Sequence, residues 1–505
     1  MDVVGGSELS RLGALGARFA KIGLVLVMLT ATFVLAGQSV RAGTPDADSP
    51  RAGGFPCAMT RTGEYEKADP AAARLDPAKL QAALDYANLS NPLTMKVFRH
   101  GCLLGEGLRD PLFDRVPADN WGQTKTITAL ITGIAQDQGL VDIDAPIGIY
   151  LPANLGDAAH RAVTLRNLLQ ASSGVEVNQV RGLNVFADQS RAREFFTMPI
   201  VHDPGTYFEY DQTAVSVIIF VVQHAIWERE PGLDFQDYAQ RELFDQLGIP
   251  TSAYFWQRDR SGTTTGYSQL FLRPLESGRL GELILTGGVY DNKRVISERY
   301  LREFRTAAKT NCSYGFLTFL NSCKPGQTQV DVSVPTRRDP GGVPWVASAP
   351  ADMIFTDGIG IRTFVIPSLD LVVTRSGEQE LDLLPSALRG DVESVVPGRP
   401  GAAGTHEFFR LLMAAVTDMP DEVRATIANS GPYDRAPEVG FDATHFLHPL
   451  DAPAGTYLSV GPGAPEGCNP LGCEGEPNDG IQRYVGDIPR TVPGIVSAET
   501  RPDGN

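Results

Sequence analysis

The chain has 505 residues, with 42% hydrophobic and 21% charged, an ordinary globular balance. Lys+Arg 44 against Asp+Glu 60 leaves a net charge of −16, which excludes the broad basic face a nucleic-acid partner needs. Its 23 Phe, 14 Tyr and 4 Trp exclude a wholly disordered chain.

The N-terminus carries Arg11, Arg18 and Lys21, then an apolar run from Ile22 to Gly37, then Val40-Arg41-Ala42. Basic, apolar and small-residue regions in that order read as a secretory signal over residues 1–42. The run is shorter than the roughly 20 residues of a spanning helix, so a membrane enters only if the signal stays uncleaved. The expected localisation is secreted or periplasmic. All six cysteines (Cys57, Cys102, Cys312, Cys323, Cys468 and Cys473) follow the signal, as disulfides in an oxidising compartment require. Pairing sequence neighbours is one of the many connectivities that six cysteines allow. No Cys or His spacing fits zinc, so neither a metal nor another cofactor is expected.

Residues 43–74 are a polar, Pro/Gly/Ala-rich leader. Asp76-Pro77 opens a helix by cap and first-turn proline. Thr94–Arg99 and Gly101–Leu104 read as two strands joined at His100-Gly101. Residues 121–138 form a helix, with Ile127, Leu130, Ile131 and Ile134 at helical spacing and Gly139 closing it. Val215–Trp227 is a core helix. Thr363–Ile366 and Leu371–Thr374 flank Pro367-Ser368-Leu369-Asp370 as an antiparallel hairpin, and His406–Val416 is a last helix. From residue 419 onward the composition predicts an irregular Pro/Gly-rich tail. Strands at both ends with helices between predict an α+β fold, one antiparallel sheet flanked by helices, with an inserted all-helical lobe.

Four segments in order resemble the serine β-lactamase and penicillin-binding superfamily, nearest its class C-like branch of esterases and 6-aminohexanoate-dimer hydrolases. They are Trp121–Thr126 running on to Gly139–Ile147 and Tyr150-Leu151-Pro152; Val163–Gly174; Pro204-Gly205-Thr206-Tyr207-Phe208-Glu209-Tyr210; and Gly358–Gly377. The resemblance spans residues 75–418 and implies a β-lactamase-like domain there. It also implies an acyl-enzyme mechanism on amide or ester bonds. A Ser-x-x-Lys serine attacks, the lysine helps to remove its proton, and a second-motif tyrosine assists. Backbone N–H groups hold the oxyanion. The implied partner is a small molecule or peptide with an amide or ester carbonyl.

The residues depart from that pattern at the nucleophile. Lys125 is in place, but Gly122 stands three positions before it, and none of the eight lysines follows a serine at that spacing. Thr306 precedes Lys309 by three, far from the resembling helix. Tyr210 is kept in the second motif, with Gln212 where the family has Asn. Asp357-Gly358-Ile359-Gly360 replaces the Lys or His that precedes glycine in the third. The candidate site is therefore Lys125, Tyr210 and the vestigial Gly122, with Gln212, Gly358 and Gly360 lining it. Ser172 and Ser173 read as turn residues. Three readings stay open: a pseudoenzyme that binds without turnover, a hydrolase using Thr124, Tyr210 or Lys125-activated water, and an altered serine at position 122. A cell-envelope interaction protein is the alternative outside catalysis.

Overall fold

The computed structural model describes residues 57, 61, 63–89, 92–176, 190–259, 261–330, 338–339, 342–356, 361–376, 402–428, 468–469 and 472–473. The secretory-signal segment, Gly358, Gly360 and most of the expected tail lie outside the described residues.

The elements that position the site are, in chain order, α1 (Pro77–Leu89), β1 (Thr94–Arg99), β2 (Cys102–Glu106), β3 (Ala118–Asp119) and α2 (Gln123–Asp137). Next come α3 (Gln212–Arg229), β4 (Tyr254–Trp256), β5 (Leu270–Leu272), α4 (Ser277–Leu285) and β6 (Phe319–Leu320). Last are β7 (Ile354–Phe355), β8 (Arg362–Ile366), β9 (Leu371–Ser376) and α5 (Ala402–Ala415). The main sheet runs β2-β1-β9-β8-β7-β6, antiparallel throughout. Its centre joins the two ends of the domain, with Thr94 opposite Ser376 and Arg99 opposite Leu371. Every residue of β1 and β9 is buried, which fits a sheet covered on both faces. α1 packs with α5, and α4 packs on β8 and β9. Leu75 bridges Val416, and Asp76 N–H donates to Ala415 O at 2.8 Å, so the start and end of this unit are tied together.

The helix expected over 121–138 spans Gln123–Asp137, closed by Gly139 at φ +68°. The core helix is α3, capped by Asp211, whose carboxylate accepts from Thr213 N and Ala214 N. The fold is the expected α+β class. The insertion between β2 and β6 carries α2 and α3, and also a small sheet of order β3-β5-β4 that no sequence period announced. Asp421–Ala428 is helical, within the stretch expected to be irregular. Cys57–Cys102 and Cys312–Cys323 are disulfides, and Cys468 is the register partner of Cys473 in a short hairpin. Glu106, Asp110 and Asp114 bring carboxylate oxygens within 4.8 Å of one another, and the Lys96 ammonium bonds the last two.

α2 is buried along nearly its whole length because it runs through the centre of the domain. At Gly133 a Cβ would lie 2.3 Å from the Tyr300 ring, which is itself fixed by its hydroxyl donating to Ala129 O at 2.7 Å. Gly133→Ala gains at most about 1 kcal/mol of helix propensity, against about 1–3 kcal/mol for overpacking. Crowding therefore wins, and thermal unfolding should show a lower midpoint. An unchanged or raised midpoint would mean that Tyr300 yields freely.

Candidate active site

The site begins with a strained turn. Asp119 Oδ1 accepts from Trp121 N at 2.8 Å and from Gln269 N at 3.0 Å. Both donor residues are left-handed, Trp121 at φ +44° and Gln269 at φ +65°. Non-glycine residues are uncommon there, and such strain persists only where the surroundings fix it. One carboxylate oxygen thus holds two turns, the one that delivers Gly122 and the one that follows Tyr267. The pairing of β3 with β5 brings these turns together.

Gly122 is the half-buried residue at the head of α2, already helical at φ −61° and ψ −20°. Lys125 follows on the same face of the helix, as i, i+3 spacing dictates. Its side chain is buried, and Nζ donates to Tyr267 O at 2.9 Å. The ammonium also lies 4.9 Å from the centroid of the Tyr210 ring, a cation–π contact. Tyr210 is half-buried, with its ring edge-on to Tyr314. The fold therefore brings Lys125 and Tyr210 together across the α2 and α3 N-termini, with Gly122 one turn before the lysine.

Gln212 opens α3, and its buried Oε1 has no hydrogen-bond partner among the described residues. Asp211, between it and Tyr210, is buried; burial pushes its carboxyl upward, opposed by hydrogen bonds from Thr213 and Ala214. Ser172 and Ser173 are buried in the turn after Leu165–Leu169. Ser172 Oγ donates to Asn167 O at 3.2 Å, and Ser173 Oγ accepts from Val175 N at 3.3 Å. Thr124 is fully buried, which separates its hydroxyl from solvent.

Sequence reasoning missed Asp119, Tyr267 and Gln123. Gln123 is buried beside Gly122, and its carboxamide meets Asn120, Ser277, Thr356 and Thr363. A glutamine in a helix carries no signal of such a role.

Residues 121–290 match the Beta-lactamase family model. The likeness that this match shows is that of the 121–290 segment to the Beta-lactamase family. The matched segment runs from the turn at Trp121 through α2, α3 and α4, so it contains Gly122, Lys125, Tyr210 and Gln212. Among solved structures, one similar chain is a candidate 6-aminohexanoate-dimer hydrolase from Bacillus anthracis, at 12% identity and TM-score 0.47, covering 68% of this chain and 90% of that one. A β-lactamase/D-alanine carboxypeptidase from Pseudomonas syringae is similar at 15% identity and TM-score 0.42, over 62% of this chain and 98% of its own. The octameric penicillin-binding protein homologue from Pyrococcus abyssi is similar at 13% identity and TM-score 0.42, over 63% and 79%. No curated protein matches the sequence. Among the described residues, no helix is long and apolar enough to cross a membrane.

Proposed function

We propose that this β-lactamase-family protein is exported, and that its residue 75–418 domain binds a small molecule or peptide through an amide or ester carbonyl with little or no turnover. The observation that carries this reading is Gly122 standing one helical turn before the buried Lys125. An acyl-enzyme needs an oxygen nucleophile whose proton a neighbouring base can take. Glycine supplies no oxygen, while Lys125 and Tyr210 still face each other. In the general triad template, losing a nucleophile leaves about 10³–10⁴-fold catalysis over water, from binding and oxyanion stabilisation alone. Thr124 is a poor replacement, because it is fully buried and lies about 100° around the helix from Lys125. Export rests on the N-terminal sequence pattern, and the two disulfides among the described residues favour the oxidising compartment it leads to.

The test is covalent labelling of purified protein with a fluorophosphonate probe and a fluorescent penicillin, read by intact mass. Wild type should stay unmodified, and the Gly122→Ser variant should gain one adduct. Stoichiometric labelling of wild type would sink the reading, and peptide mapping would then name the substitute nucleophile. A folded Gly122→Ser variant that takes neither probe would show that no carbonyl pocket is assembled.

A further inference from the structure

We propose that Gln123 is a positioning residue that sets the gap between the Gly122 turn and the end of the β7–β8 ladder of the main sheet; this rests on the carbonyl-pocket reading above. The argument starts from its hydrogen-bond capacity. A carboxamide has two acceptor positions on oxygen and two donor hydrogens on nitrogen. At Gln123 all four are used. Oε1 accepts from Thr356 Oγ1 at 2.6 Å and from Thr363 Oγ1 at 3.0 Å. Nε2 donates to Asn120 Oδ1 at 3.0 Å and to Ser277 Oγ at 3.4 Å. Gln123 is 1% exposed and its four partners are all buried, so water does not compete for these bonds.

The partners come from four separate pieces of chain. Asn120 precedes α2, Ser277 begins α4, Thr356 follows β7 and Thr363 lies in β8. Thr356 Oγ1 also accepts from Thr363 N at 2.9 Å, and Thr356 N donates to Thr363 O at 2.9 Å. The Gln123 carboxamide is thus bonded directly into the end of the β7–β8 ladder. Its backbone is the next residue after Gly122, so the head of α2 cannot shift along that ladder without breaking two hydroxyl bonds. A buried, fully satisfied polar network specifies one arrangement more sharply than apolar packing does. Attack on a bound carbonyl tolerates little error, since a misplacement of about 1 Å can cost about 10²-fold in rate.

The test uses the full chain in the Gly122→Ser background, with the fluorescent penicillin as probe and its maximal acylation rate as readout. Adding Gln123→Leu should lower that rate at least about ten-fold, a larger factor than any rise in the half-saturating probe concentration. Thr363→Val, which suits a strand and leaves Gln123 in place, should lower the rate in the same direction, and it keeps the test open if Gln123→Leu fails to fold. Gln123→Glu adds a readout that mere support of the fold would not move. Its carboxyl keeps the acceptor for both threonines and regains a donor when protonated. The acylation rate relative to the Gly122→Ser parent should therefore recover as pH falls, whereas the deficit of Gln123→Leu should stay constant. Equal rates in Gly122→Ser and its folded Gln123→Leu and Thr363→Val derivatives would overturn the positioning role alone. No adduct on Gly122→Ser itself would overturn the carbonyl-pocket reading, and this inference with it.

Discussion

Lys96→Met should destabilise the protein by about 3–5 kcal/mol, the cost of breaking a buried ion pair by removing one partner. Lys96 lies on β1, the strand next to the edge strand β2 of the main sheet, with its side chain 2% exposed, and it bonds Asp110 and Asp114. Asp110 is 0% exposed and also accepts from Met95 N at 2.9 Å, so it cannot turn to water when the ammonium leaves. Burial raises its carboxyl pKa to about 6, with the Lys96 charge and hydrogen bond opposing the rise. A carboxyl raised above its unfolded value near 4 contributes stability that is full below that pH and is lost as pH rises through about 6. Without Lys96 the opposing attraction disappears and the upward shift grows. The loss in Lys96→Met should therefore be larger at pH 8 than at pH 5, where protonation relieves the stranded carboxylate. Urea unfolding at the two pH values checks this. An equal loss at both, or none, would mean that water reaches these carboxylates. Adding Asp110→Asn to Lys96→Met should recover part of the loss at pH 8.

The elements that could be read from sequence were those with a strong local period or punctuation. α2 showed its apolar spacing and closing Gly139, and α1 its Asp76-Pro77 start. β8 and β9 appeared as two apolar runs around Pro367–Asp370, where the structure places a tight turn with Asp370 at φ +48°. The neighbour pairing of Cys57 with Cys102 and Cys312 with Cys323 also holds. β3 and β5 were invisible because strands of two and three residues have no period to detect. Lys125 and Tyr210 could be named from segments resembling a family, since nothing local marks either as more than a helix lysine and a loop tyrosine. The hydrogen-bonded frame around them was not readable. Gln123 finds Thr356 and Thr363 at separations of 233 and 240 residues. Asp119 reaches Gln269 across 150 residues. Such partners are chosen by the finished fold, and their residue types are common on any polar surface. The left-handed turn at Trp121 was equally unannounced, because a tryptophan gives no reason to expect positive φ.

Removing Lys125 should have its largest effect only when a nucleophile is present. In the Gly122→Ser background, Lys125→Met should slow acylation by fluorescent penicillin about 10²–10⁴-fold, the range for a positioned general base or acid. Methionine is of similar length and can fill the space beside the Tyr210 ring, so the packing of α2 on α3 should survive. It loses the bond to Tyr267 O and the cation–π contact, but it also removes the cost of burying an ammonium. Thermal stability should therefore change far less than the acylation rate. That contrast separates chemistry from scaffolding, and it also decides between the two groups facing the head of α2. If acylation persists within a few-fold of the Gly122→Ser parent, Lys125 is not the proton acceptor, and Tyr210 becomes the group to remove next. If acylation collapses while the fold holds, the base has outlasted its nucleophile. The missing Cβ and Oγ at Gly122 are then what keeps this pocket from forming an acyl-enzyme, with the frame of Asp119 and Gln123 assembled around it.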